Sequence, residues 1–69
     1  MKVHVSDSSC LPDLVDDLVD GGCIPAAVND ETVAVAHPLA RDAKEARIEI
    51  AFFLRAWQSA HPHVEVTFS

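Results

Sequence analysis

Three sets of side chains in this 69-residue chain are able to do chemistry. The first is His4 with His63 and Glu65. If the two ends of the chain lie side by side, two imidazoles and a carboxylate share one surface, a donor set suited to zinc or a similar cation. The same residues also serve as cross-strand polar pairs on a solvated sheet face. The second set is Ser8, Ser9 and Cys10, which lead into a helix. Backbone N–H groups and the helix dipole at such a start hold a small anionic ligand or lower a thiol pKa. No base or cation adjoins Cys10 in sequence, and the surrounding carboxylates oppose thiolate formation. The plainer expectation is that Ser8 or Ser9 caps the helix and Cys10 packs as a small side chain. The third set, Asp13, Asp16, Asp17 and Asp20, recurs at i, i+3, i+4 and i+7 and makes one helix face wholly acidic. It either solubilises the surface or docks a basic partner. No serine, cysteine or carboxylate stands in a recognisable catalytic motif, so no catalytic residue and no cofactor are assigned.

The elements that must position these groups follow from the hydrophobic rhythm. Val3 and Val5 alternate with Lys2, His4 and Ser6, as in a strand with one buried face. Asp7-Ser8-Ser9 supplies turn and cap chemistry, and Pro12 fits only a first helical turn. Leu11, Leu14, Val15, Leu18 and Val19 then form an amphipathic stripe that Gly21-Gly22 ends, with Gly21 expected to take the left-handed cap. Ile24, Ala26 and Val28 alternate in an edge strand marked by Pro25. Asn29-Asp30-Glu31 turns the chain into a second alternation through Val33 and Val35. Asp42 and Glu45 have capping-box spacing and start a second helix. Its buried stripe is Ala43, Ala46, Ile50, Phe53, Leu54 and Trp57, widened by Ile48 and Phe52. His61-Pro62 stops it. Val64, Val66 and Phe68 alternate in a last strand.

This strand–helix–strand–strand–helix–strand order resembles the ferredoxin-like fold over the whole chain, taken as a single domain of residues 1–69. The resemblance implies an α+β sandwich: a four-stranded antiparallel sheet of order 4-1-3-2, with right-handed crossovers placing two helices on one face. The core then holds Val3, Val5, Ile24, Val28, Val33, Val35, Val64, Val66 and Phe68. The open face carries Lys2, His4, Ala27, Ala34, Ala36, His63, Glu65 and Thr67. Cys10 is placed like the first cysteine of the Cys-x-x-Cys loop in heavy-metal-associated domains. The second cysteine is Asp13 here, and the motif's neighbouring Gly and Met positions are Asp7 and Ser8. That departure removes the paired soft thiolates a copper carrier needs. The open face has no aromatic on which RNA-recognition motifs stack bases, and the first loop has no arginine of the acylphosphatase kind. ACT-type regulatory domains, which make loose sequence demands, remain compatible.

Composition narrows the partners. Eleven Asp and Glu against five Lys and Arg give a formal net charge of −6, the wrong sign for nucleic acid. No apolar run reaches the roughly 18 residues of a membrane span. A strand pattern begins at once from Met1, so a cytoplasmic location is expected. Cys10 and Cys23 flank a helix about 15 Å long, too far apart to bond with each other, and two reduced thiols suit the cytosol. So small a core favours docking or self-association. The expectation is a non-catalytic interaction or regulatory module, homodimeric through the flat face bearing Ala34 and Ala36. The alternative is a small-ligand or metal-binding domain using residues 6–10 or the His4, His63 and Glu65 face.

Overall fold

In the computed structural model, residues 1–68 are described; Ser69, the last residue of the expected domain, lies outside them. Lys2–Val5 forms strand β1, whose valines are fully buried while Lys2 and His4 are exposed. Helix α1 spans Leu11–Asp20 and is entered through a single 3-10 turn at Ser8–Cys10. Asp7, not Ser8 or Ser9, is the cap. Its Oδ1 accepts from the Ser9 amide, and no side chain caps α1 itself at Cys10. Leu11, Leu14 and Leu18 are buried, each contributing about 1.5–3 kcal/mol in lost apolar exposure. Val19, at the margin of the stripe, is 55% exposed. The left-handed residue is the second glycine, Gly22 at φ +86°, whereas Gly21 sits at φ −81°. The helix therefore runs one residue further before the chain reverses.

Strands β2 (Ile24–Asn29) and β3 (Thr32–Ala36) form a hairpin, and β4 is Val66–Phe68. All neighbouring pairs are antiparallel in the order β2-β3-β1-β4, which is 4-1-3-2 read from the other edge. Helix α2 spans Ala43–Ala60, with Asp42 as its cap accepting from the Glu45 amide at 2.8 Å. The return half of the capping box is absent, because Glu45 turns instead to Arg41 at 2.7 Å. Val3, Val5, Val33 and Val35 from the sheet meet Leu11, Leu14, Leu18, Ile50, Leu54 and Trp57 from both helices in one buried cluster. The element order and layering are those of the ferredoxin-like arrangement.

Three assignments change. In β2, Pro25 and Ala27 lie opposite the buried Val35 and Val33, so they share the helix-side face. Ile24 and Ala26 lie opposite Ala36 and Ala34, on the open side. Ile24 is 59% exposed and Val28 is 51% exposed at an irregularity between Ala27 and Asn29. Both faces of Ile-Pro-Ala-Ala-Val are apolar, so alternation specifies the phase weakly, and one extra residue at the bulge reverses it. In α2, Ile48 and Phe52 are 57% and 76% exposed. Each lies two residues, or 200°, from buried Ile50, which turns it to the far side of the helix. Finally, β4 begins two residues later than the alternation suggests. Val64 is fully buried but precedes the strand, and Phe68, expected in the core, is 39% exposed at its end with the Arg47 guanidinium 5.8 Å above its ring.

Candidate functional site

The delayed start of β4 brings a histidine to the first loop. After α2 the chain makes a turn in which the Val64 amide donates to the His61 carbonyl at 3.0 Å. Gln58, in the last turns of α2, clamps that segment: its Nε2 donates to the carbonyls of His61 and Val64, and its Oε1 accepts from the Val66 amide. Ser6 ties the same segment to the first loop. Its amide donates to the Glu65 carbonyl at 2.9 Å, and its hydroxyl accepts from the Glu65 amide at 2.8 Å. His63 is thereby set against Cys10, with Nε2 4.0 Å from Sγ.

Asp7 completes the group. Its Oδ1 accepts from both the hydroxyl and the amide of Ser9, at 2.7 and 3.0 Å. These two bonds hold its carboxyl below the usual range, with Cys10 and His63 adding smaller contributions in the same direction. The other oxygen, Oδ2, lies 3.8 Å from Cys10 Sγ. The three potential ligand atoms all lie within 4.8 Å of one another.

The expected triad of His4, His63 and Glu65 does not form. His63 lies in the turn after α2, and Glu65 precedes β4. His4 stays on the open sheet face, opposite Thr32 and Thr67, with Nδ1 3.3 Å from Thr32 Oγ1. Of the first-loop residues, Ser9 orders Asp7, Cys10 faces His63, and Ser8 lines a groove between α1 and the β2–β3 hairpin. Two local signals point to this cluster. Asp7, expected only as turn chemistry, is the third member of the cluster, and His61-Pro62, expected as a helix stop, forms with the candidate ligand His63 a His-x-His spacing, although His61 itself turns to the Trp57 carbonyl. Asp17 is also more than surface charge, because its Oδ2 accepts from the indole N–H of the buried Trp57 at 3.0 Å. Asp13, Asp16 and Asp20 are exposed, and none belongs to an ion pair among the described residues.

Elsewhere, Cys10 and Cys23 are free thiols. Burial pushes the Cys23 thiol up, and the charge of Glu49 adds to the effect. His37 Nε2 lies 2.6 Å from Glu49 Oε2.

The second surface is the open face of the sheet. Register places Lys2, His4, Ile24, Ala26, Thr32, Ala34, Ala36 and Thr67 on it. None of the eleven carboxylates of the chain lies in any of the four strands. Between Ile24, Ala26, Ala34 and Ala36 the face is apolar, and among the described strand residues Lys2 and His4 supply its only ionisable groups. No helix of the described residues is long and apolar enough to cross a membrane. A comparison with known protein families, curated proteins and solved structures finds no match to this chain.

Proposed function

We propose that this chain is a non-catalytic contact module of the cytoplasm that pairs with a second copy of itself through the open face of its sheet. One observation carries the reading: in a chain of net charge −6, the strands contain no carboxylate, and their open side presents Ile24, Ala26, Ala34 and Ala36. Two copies of an acidic protein approach at least electrostatic cost where neither presents a carboxylate. The contact buries apolar surface that is otherwise left in water. Both thiols being free supports the compartment.

Geometry also sets the strength. Four strands about 4.8 Å apart and about five residues long give a footprint of roughly 300 Å². Stable dimers bury about 800 Å² per partner. A contact of that size is weak and transient, so association is looked for from about 0.1 mM upward. Sedimentation velocity across a concentration series spanning that value tests it. A rising weight-average mass that Ala26→Glu abolishes and Ile48→Glu on the outer face of α2 leaves intact supports the reading. A constant monomer mass throughout, or a dimer indifferent to Ala26→Glu, overturns it.

A further inference from the structure

We propose that Asp7 Oδ2, Cys10 Sγ and His63 Nε2 together bind one zinc-class divalent cation, with a fourth coordination position open to solvent. Among the described residues, this is the one place where three side chains able to ligate a metal converge. They come from opposite ends of the chain, 53 residues apart for Cys10 and His63, so their meeting is a product of the fold and not of a local turn. Of the three, Cys10 alone stands at a ligand position of the Cys-x-x-Cys motif considered above; Asp7 replaces that motif's neighbouring Gly, a position that ligates nothing there. Asp13, at the position of that motif's second cysteine, is outside the cluster.

The spacing is close to what coordination needs. Ligands bound at about 2.0–2.3 Å in a tetrahedron lie about 3.3–3.6 Å from one another. The observed separations are 3.8 Å from sulfur to carboxylate and 4.0 Å from sulfur to imidazole. The carboxylate and the imidazole lie within 4.8 Å of each other, so the sulfur contacts must shorten by about half an ångström and the carboxylate–imidazole separation by at most about 1.5 Å, movements that side-chain rotation supplies. Two of the three groups are already held in place. Asp7 is oriented through its other oxygen by the two Ser9 bonds, an outer-shell arrangement of the kind that positions metal ligands. His63 is carried on the segment that Gln58 clamps and Ser6 fastens to the first loop.

The donor chemistry selects the ion class. Calcium and magnesium take oxygen ligands, and copper(I) favours several soft sulfurs. One thiolate, one imidazole and one carboxylate suit zinc and its cobalt(II) substitute. Three protein ligands with exposed His63 at the rim leave a position for water or an exchangeable ligand. A nucleophilic cysteine relay fits the geometry less well. Such a relay runs in series, with the carboxylate on the imidazole nitrogen remote from sulfur, whereas here the carboxylate and the imidazole both face the sulfur.

Titration of the full chain with cobalt(II) tests the site, read by the thiolate-to-cobalt charge-transfer band and the ligand-field bands of a four-coordinate ion. Saturation at one equivalent and displacement by zinc are expected. Zinc should also slow iodoacetamide alkylation of Cys10 at least ten-fold while leaving Cys23 unaffected. Cys10→Ser should abolish the charge-transfer band. Asp7→Asn and His63→Gln should each weaken binding by about 10- to 100-fold, with circular dichroism showing that the fold is kept. Asp13→Asn with Asp16→Asn should bind as the wild type does. The proposal is overturned by absence of the band at about 1 mM cobalt, far above the range of a three-ligand protein site. It is equally overturned if binding survives Cys10→Ser and His63→Gln but falls with the Asp13 and Asp16 changes, which would place the ion on the acidic helix.

Discussion

Replacing Asp17 with Ala should destabilise the protein, although three local effects favour the change and the neighbouring replacement of Asp16 should stabilise it. Both residues are exposed on α1. Alanine improves helix propensity at either site by about 0.6 kcal/mol. Each aspartate also has two like-charged neighbours at helical spacing. Asp17 faces Asp13 and Asp20, and Asp16 faces the same two residues, so either change relieves repulsion of about 0.3 kcal/mol per pair. Without further contacts, both variants should gain about 1 kcal/mol. Asp17 differs in accepting the Trp57 indole N–H at 3.0 Å, from a side chain only 5% exposed. Leaving that donor unpaired costs about 1–3 kcal/mol. With a value near 2, Asp17→Ala is destabilised by about 1 kcal/mol while Asp16→Ala is stabilised by about as much. Urea denaturation followed by circular dichroism measures both. The fluorescence of Trp57, the only tryptophan, should change in Asp17→Ala alone. If the two variants shift the midpoint in the same direction and by the same amount, the Trp57–Asp17 bond does not tie α1 to α2 as described.

Three further outcomes follow from particular positions. Gly22→Ala should cost about 1 kcal/mol, because Gly22 sits at φ +86°, where a Cβ is strained. Gly21→Ala, with φ −81° and only ordinary contacts for an added Cβ, should be neutral or mildly stabilising by the same unfolding assay. Phe52→Ser should change stability by less than about 0.5 kcal/mol, whereas Leu54→Ala, buried in the core, should cost about 2–5 kcal/mol; equal losses would put Phe52 back in the core. The raised pKa of Cys23 means that the folded state favours its neutral thiol. That contribution is full below the ordinary thiol value of about 8.5 and is lost as pH rises from there through the raised folded-state value. Wild type should therefore lose stability relative to Cys23→Ala above that pH, and alkylation of Cys23 in a Cys10→Ser background should need a more alkaline solution than a free thiol. An alkylation profile matching that of a small-molecule thiol would contradict this.

Much of the architecture is written in local spacing. The leucines of α1 and the valines of β1 face away from polar neighbours, and in β3 the larger Val33 and Val35 alternate with Thr32, Ala34 and Ala36, so size and polarity together point to one element type and one orientation. The cap of α2 at Asp42 is equally local. Where both faces are apolar, as in Ile24–Val28, the pattern cannot choose between them, and the bulge decides. The extent of β4 depends on Gln58, eight residues before Val66, and no alternation in Val64-Glu65-Val66 encodes that clamp. The candidate metal cluster was half legible. Cys10 and His63 each stand out by type, but local alternation gives His63 the wrong companions, because a continuous β4 would put it on the sheet face beside His4. Displacing it by two residues into a turn aims it at the first loop instead.

The claim that the open sheet face is the contact surface is tested most directly by following backbone amide resonances as the protein is concentrated through about 0.1 mM. Progressive shifts confined to Lys2, His4, Ala26, Ala34, Ala36 and their neighbours are expected. Shifts clustered instead around Ile48 and Phe52 on α2, or none at any residue, would contradict it.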